Sequence, residues 1–375
     1  MSETVLVTGG AGFIGSFLVD ALLQKGHRVR VFDALVPQVH GPQQAVPAYL
    51  NPSAELVKGD VRDRQALAAA LQGVDVVYHL AAAVGVGQSM YQIHYYTEMN
   101  TLGGAVLLDL LANTKHRVRK LLVASSMSIY GEGAYSCAEC GTVYPRLRTE
   151  AQLKARDWEM KCPGCGRDVQ PLPTSEEKPL FPTSIYAVTK RDHEEMFLCT
   201  GLAYGLPAVA LRFFNVYGPR QALSNPYTGV MAIFSSRLLN GQPPVIYEDG
   251  RQSRDFIHVS DIVQGLLLAM ERPEADHQVL NLGTGVPTSV AQVAGMLSQR
   301  LTGGRIEADI RHQYRAGDIR HCYSDIGKAR RLLGFEPRVS LHDGLSDLLA
   351  WVEQQVAEDG FSQVERELKA KSLVV

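Results

Sequence analysis

Tyr186 and Lys190 stand four residues apart in the stretch Pro182-Thr-Ser-Ile-Tyr186-Ala-Val-Thr-Lys190. On a helix this spacing puts the phenol and the ammonium on one face. An ammonium beside a phenol stabilises the phenolate and lowers the tyrosine pKa, which suits it to accept a hydroxyl proton near neutral pH. Sixty positions upstream, Ser125-Ser126 follows the apolar run Lys120-Leu-Leu-Val-Ala124, and a hydroxyl such as that of Ser126 can hold a reacting oxygen. Taken singly, these signals are weak, because Tyr-x-x-x-Lys recurs by chance and serine often follows a strand. A second group has a different chemistry. Cys137-Ala-Glu-Cys140-Gly141 and Cys162-Pro-Gly-Cys165-Gly166 are two knuckles with 21 residues between them. Each turn aims two sulfurs at one ion, and its glycine takes the left-handed conformation that follows. Cys137, Cys140, Cys162 and Cys165 then form a closed tetrahedral site, structural rather than catalytic, for zinc. Rubredoxin-like iron is the alternative, since four thiolates suit either metal. The segment between the knuckles holds few large apolar residues, so the ion is expected to supply its folding energy.

The elements that must position the tyrosine begin at the N-terminus. Val5-Leu-Val-Thr8 reads as a short buried strand, Gly9, Gly12 and Gly15 follow, and Phe13, Ile14, Phe17, Leu18, Ala21 and Leu22 recur at helical spacing. Strand, glycine turn and helix make a dinucleotide-binding start. Gly9 permits the turn, Gly12 admits the pyrophosphate to bare backbone, and Gly15 lets helix pack on strand, with Phe13 and Ile14 in the first turn beside the cofactor. Asp33 ends the second strand 18 residues after Gly15, where a carboxylate accepts from ribose hydroxyls; its charge favours NAD over NADP. Asp60 and Val61 are expected to border the adenine, and Leu80-Ala81-Ala82 supplies small side chains against the cofactor. Residues 34–54 read as loop, Val84–Tyr96 as a ligand-facing loop containing Val84 and Gly85, and about Thr97–Leu111 as one helix carrying Asn100.

The chain has 375 residues, 46% hydrophobic and 20% charged, with a net charge of −2. That suits a globular α/β protein of two domains and gives no basic field for nucleic acid or an anionic membrane. No leader-like segment or apolar run long enough to span a bilayer is evident, so a cytoplasmic location is expected. Residues 1–215 read as a doubly wound Rossmann domain, interrupted at 134–173 by the cysteine insertion and regained at about 256–285. Residues 216–375 read as a smaller mixed α/β substrate domain. The last fifteen or so residues are charged, lack a capping signal and are expected to fray.

Together Thr8-Gly9-x-x-Gly12-x-x-Gly15, Asp33, Asp60-Val61, Leu80-Ala81-Ala82, Asn100, Ser125-Ser126, Tyr186-x-x-x-Lys190 and Arg212-Phe-Phe-Asn215-Val-Tyr-Gly-Pro219 resemble the extended short-chain dehydrogenase/reductase family, in its nucleotide-sugar epimerase and dehydratase branch. The resemblance covers nearly the whole chain; Gly104 departs from it, standing where the family has threonine. It implies Ser126, Tyr186 and Lys190 as the catalytic triad, with Lys190 also on the nicotinamide ribose. It places Asn215 and Arg254 on a nucleotide diphosphate, Arg315-Ala-Gly-Asp318 on the substrate and Tyr247 near the base. It also implies a homodimer built on the helices of residues 97–112 and 186–200. The gap between serine and tyrosine is longer than the resemblance implies, and the surplus holds the cysteines. This insertion is expected to wall the active site or to meet a neighbouring subunit.

Members of this branch begin by taking hydride from a sugar carbon, usually C4. Its dehydratases have two acids after the fifth strand, its decarboxylases a glutamate, and its double epimerases a cysteine. Met127 and Ser128 occupy those positions here. What remains is an NAD-dependent nucleotide-sugar 4-epimerase working through a transient 4-keto sugar with Tyr186 as base. The substrate pattern resembles dTDP-L-rhamnose epimerases, with a UDP-hexose or UDP-uronic acid as runner-up. A net dehydrogenase, 4-ketoreductase or dehydratase is the alternative enzyme, and a non-catalytic NAD sensor the alternative from another class.

Overall fold

The computed structural model describes residues 2–225, 227, 229–355 and 359–374. Its centre is a seven-stranded parallel sheet made of Thr4–Thr8 (β1), Arg28–Asp33 (β2), Glu55–Lys58 (β3), Val76–His79 (β4), Lys120–Ser126 (β5), Ala208–Phe213 (β6) and Val279–Leu282 (β7), in the order β7-β6-β5-β4-β1-β2-β3. All five residues of β1 are buried, as a central strand covered on both faces requires. β1 pairs with β2 on one side and with β4 on the other. The strand order reverses there, and a crevice opens at the carboxyl ends of the strands. One face packs on Phe13–Gln24 (α1) through Leu18, Val19 and Leu22, together with Ile262 and Leu266; the other packs on Leu107, Leu111 and Phe197. Ala329, Leu333 and Phe335 join the first of these cores from late in the chain. A third core, with Met231, Phe234, Phe256, Leu297 and Leu348, lies across the crevice.

Gly9 has φ +72°, and a Cβ on Gly15 would stand 2.2 Å from the Gly9 carbonyl oxygen. Only glycine fits at Gly15, because that contact is with backbone and cannot rotate away.

Three local expectations change. Residues 34–54 contain a one-turn helix at Pro37–His40, and Val84–Tyr96 contains two, Val86–Ser89 and Ile93–Tyr96. The helix expected over 97–111 opens as a π-helix, Thr97–Leu102, before Gly103–Asn113 (α2). The wider turn accompanies Asn100 reaching back to the Ala83 backbone and across to Thr189, a type of local distortion that hydrophobic spacing does not report. Gly104 is explained: its Cβ would already lie 3.0 Å from the His193 ring.

The insertion is not coreless. Ala134–Cys137, Gly141–Val143 and Gln170–Leu172 form an antiparallel sheet, and Tyr135, Met160 and Val169 pack around Cys137 and Cys162. The C-terminus does not fray over its described residues: Phe361–Ala370 is a helix with Val364 and Leu368 buried against Val245 and Tyr247. Phe361, Val364 and Leu368 share one face, which a count of charges conceals. Among the described residues no helix is long and apolar enough to cross a membrane.

Candidate active site

A cavity of about 660 Å³ fills the crevice. Gly9, Gly12, Phe13, Ile14, Gly15, Asp33, Val61, Leu80, Ala81 and Ala82 line one part of it. The N-terminus of α1 has no side-chain cap, so its amides stay available for an anion. A Cβ on Gly12 would meet nothing within 4 Å except the Gly9 carbonyl oxygen, so bare backbone faces open space. Asp33 accepts from the amides of Ala11 (3.0 Å) and Leu35 (2.9 Å), one on each oxygen. Each oxygen keeps lone pairs for a ribose hydroxyl. His40 lies 3.8 Å from this carboxylate. These features fit a dinucleotide without a 2′-phosphate.

Two expected contacts are absent from that lining. Asp60 is held by Arg62, whose Nη2 reaches Oδ2 at 2.8 Å and whose Nε reaches Oδ1 at 3.0 Å. Asn100 is fully buried behind the wall, accepting from the Ala83 amide at 2.7 Å and donating to Thr189 Oγ1 at 2.9 Å. It shapes the cofactor wall rather than touching the cavity.

Ser126, Tyr186 and Lys190 meet at the middle of the cavity. Tyr186 sits in the first turn of Ile185–Tyr204 (α3), which Ser184 caps by accepting from the Ala187 amide at 3.1 Å. The Tyr186 amide donates to Ser89 Oγ at 3.0 Å. Ser126 ends β5, and its Oγ accepts from the Ser128 amide (3.2 Å) and hydroxyl (2.9 Å). Lys190 Nζ donates to the Ala124 carbonyl at 2.9 Å. The expected lowering of the tyrosine pKa is not found in the folded chain. Burial pushes Tyr186 up to about 12, against a smaller opposing pull from the Ser126 hydroxyl, and burial pushes Lys190 down to about 7. Desolvation is the dominant cause of both shifts; burial, helped by Lys190, likewise lowers His79 to about 3.

This sets a stability test. Lys190 ionises near 10.5 in the unfolded chain and near 7 in the folded one. The buried ammonium therefore costs most below pH 7, and stability rises between those values as the unfolded chain holds the extra proton. Lys190→Met is expected to raise the melting temperature of the NAD-free protein by roughly 3 °C at pH 6, with the gain shrinking toward pH 10. A gain that grows with pH in thermal scans would contradict this.

Toward the other end lie Val84, Gly85, Asn215, Tyr247, Arg254, Arg315 and Asp318. Arg315 lies over the Tyr247 ring, 5.0 Å from its centroid, and its Nε pairs with Asp318 at 2.7 Å. Arg254 spends Nη1 and Nη2 on the carbonyls of Ser253, Arg320 and Ile319, which fixes its guanidinium at the wall. Arg212, from the same motif as Asn215, is buried behind β5 in an ion pair with Glu194.

The chain matches the NAD dependent epimerase/dehydratase family over residues 5–151 and 164–283. It belongs to that family. The dTDP-L-rhamnose 4-epimerase of Burkholderia thailandensis is 34% identical over 356 residues, covering 94% of this chain and 96% of that protein. A putative UDP-glucose 4-epimerase of Methanocaldococcus jannaschii is 32% identical, covering 93% and 98%. The structure of UDP-glucuronic acid 4-epimerase from Bacillus cereus, in complex with UDP-glucuronic acid and NAD, superposes with a TM-score of 0.75 at 28% identity, covering 94% and 99%.

The family match breaks at residues 152–163, inside the insertion. There the sulfurs of Cys137, Cys140, Cys162 and Cys165 all lie within 4.8 Å of one another, and Gly141 and Gly166 have φ of +70° and +74°. Thiolates so close suit a single tetrahedral ion. Among the described residues, none of 134–173 lines the epimerase-family cavity. The expectation that the insertion walls the site is corrected: the chain leaves β5, folds outward and returns behind the wall.

Several lining residues were not singled out in the sequence, although Gln88 lies in the loop read as ligand-facing. Gln88 accepts from Tyr96 and exchanges hydrogen bonds with Gln38. Arg220 sits 4.2 Å from the Phe17 ring centroid. Phe361, Val364, Leu368 and Leu373 close the cavity from the C-terminus. Only the position of Arg220, directly after the Asn215–Pro219 motif, could have marked it.

Proposed function

We propose that this chain is an NAD-dependent nucleotide-sugar 4-epimerase in which Tyr186 is the acid and base, Ser126 holds the reacting oxygen, and Lys190 supports the phenolate and the nicotinamide ribose. One observation carries the reading. Among the described residues, the only carboxylates on the cavity are Asp33 and Asp318. Asp33 belongs to the dinucleotide end and Asp318 is paired with Arg315. Among the described residues, no further carboxylic acid lines the cavity beside Ser126, Tyr186 and Lys190 to drive elimination of water.

Gly9, Gly12, Phe13, Ile14, Gly15, Asp33, Val61, Leu80, Ala81 and Ala82 would hold NAD, which supplies a hydride acceptor that can return the hydride. Tyr186 as phenolate accepts the C4 hydroxyl proton, Ser126 donates to the same oxygen, and the Tyr186 hydroxyl later gives the proton back. In the turned sugar C4 would take the hydride back on its opposite face while the oxygen takes back the proton, so the reaction has no net redox change. Asn215, Arg254, Arg315 and Tyr247 would bind the nucleotide diphosphate, with Val84 and Gly85 beside the sugar. The 34% identity to a dTDP-L-rhamnose 4-epimerase makes dTDP-L-rhamnose the first substrate to try. Structural zinc in the four-cysteine site, and a homodimer through α2 and α3, complete the reading; Val188, Leu202 and Tyr204 are apolar and exposed on α3.

Proton NMR with dTDP-L-rhamnose, UDP-galactose, UDP-glucuronate and GDP-mannose, and no added reductant, tests the proposal. A new C4-epimer anomeric signal without NADH accumulation is expected for one of them. Stoichiometric NADH, or no turnover across the panel with NAD bound, would move the assignment to a dehydrogenase, a 4-ketoreductase or a sensor.

A further inference from the structure

The insertion stays out of the cavity, yet two of its residues grip the segments that build one end of it. Arg148 lies between the knuckles with its side chain 2% exposed. It makes a fork on Glu248, Nη1 to Oε2 at 2.8 Å and Nη2 to Oε1 at 2.7 Å. Nη1 also donates to the Trp158 carbonyl at 3.0 Å, within the insertion, and Nη2 to the Asp318 carbonyl at 3.2 Å, on the cavity wall. From the second knuckle's side, Glu159 accepts from Arg320 Nη2 at 2.6 Å. Arg320, with a fully buried side chain, also holds Glu248 and Asp249.

Glu248 follows Tyr247 and has φ +58°, a left-handed backbone that a glutamate does not adopt without support. Its buried carboxylate is directly ion-paired with Arg148 and Arg320. The orientation of Tyr247, and of the Arg315 that lies over its ring, thus depends on charges planted in the insertion. A fork-shaped guanidinium fixes direction as well as distance. The two knuckles in turn fix both ends of the segment that carries Arg148 and Glu159.

We infer that Arg148 is a positioning residue through which the four-cysteine insertion sets the Tyr247–Arg315–Asp318 end of the cavity for the nucleotide portion of the substrate. The inference rests on the nucleotide-sugar reading above. The insertion is then a buttress, and filling its metal site tunes nucleotide affinity without touching the dinucleotide end.

The test uses the full-length, metal-loaded protein, with calorimetric titration of dTDP, UDP and GDP, NAD binding measured separately, and metal content measured in each variant. Arg148→Met is expected to weaken binding of the preferred nucleotide about tenfold, with NAD affinity and metal content unchanged. With the substrate found by NMR, KM should rise and kcat change little. Arg148→Lys should recover only part, since an ammonium cannot fork. Chelating the metal from the wild-type protein should reproduce the loss, and chelating it from Arg148→Met should add nothing further. Nucleotide binding within twofold of wild type in a folded Arg148→Met protein, or additive losses, would overturn the inference. Should Arg148→Met fail to fold, Glu159→Gln takes its place: the half-exposed Glu159 is expected to give a smaller loss of the same kind, and no loss overturns the inference. If the wild-type protein binds none of dTDP, UDP and GDP in the same titration, the nucleotide-sugar reading itself fails.

Discussion

Tyr186→Phe is expected to lower turnover by about 10²–10⁴-fold while NAD remains bound. The substitution removes one oxygen and leaves the ring, which is packed in the first turn of α3, in place. NAD should be unaffected because its proposed cradle is built from the glycine turn, Asp33 and the end of β4, none of which depends on the phenol. Ser126, Lys190 and the buried histidines are poor substitutes. Ser126 is an alcohol of high pKa, and its oxygen already accepts from Ser128. Lys190 points its Nζ at the Ala124 carbonyl. The nearest histidines, His79 and His193, are buried and held neutral, with their hydrogen bonds on Thr8 and the Asn100 carbonyl. Turnover within a few-fold of wild type would remove Tyr186 from the chemistry. The pocket also predicts a pH signature. With burial lifting Tyr186 to about 12 in the cofactor-free chain, activity should rise with pH through the neutral range, since the base is the deprotonated form. A positively charged nicotinamide in the same pocket would favour that form electrostatically.

Cys162→Ser is expected to abolish stoichiometric metal binding and to open the insertion. A structural zinc contributes about 10–16 kcal/mol in small finger peptides. Part of that should be retained here, because Tyr135, Met160 and Val169 form a small core of their own. Two members of that core, however, are the ligands Cys137 and Cys162, so losing the ion loosens the packing too. Metal analysis should fall from about one ion per chain to none. Limited proteolysis should begin cutting between the knuckles, and Trp158 fluorescence should shift as this buried ring meets water. The same protease pattern with and without a chelator would sink the structural-metal reading, and a coloured protein would identify iron.

Much of the dinucleotide half was legible because its constraints are local. A left-handed Gly9 and a Gly15 with no room for Cβ are demanded by the turn itself, so they are written as glycines at fixed spacing. Asp33 is likewise placed by strand length. The cysteine knuckles could be read because a C-x-x-C-G turn encodes its own geometry. By contrast, the surroundings of Asp60 and Asn100 were not legible. Nothing in their own segments says that Arg62 claims the first, or that a π-turn swings the second behind the wall. The C-terminal helix was hidden because its three apolar anchors are few among charges, and only the surface it covers makes them significant.

The sequence alone determined the strand, turn and helix that would grip a dinucleotide, the face shared by Tyr186 and Lys190, and the four thiolates for one ion. Each is set by residue type and short spacing. Only the tertiary structure decided that burial raises the tyrosine pKa, and that Asp33 and Asp318 are the only carboxylates on the cavity among the described residues. It alone put the insertion behind the wall, joined to the site by Arg148 and Glu248, which are 100 residues apart. Desolvation and long-range ion pairs depend on what the rest of the chain brings alongside, and no local pattern records that.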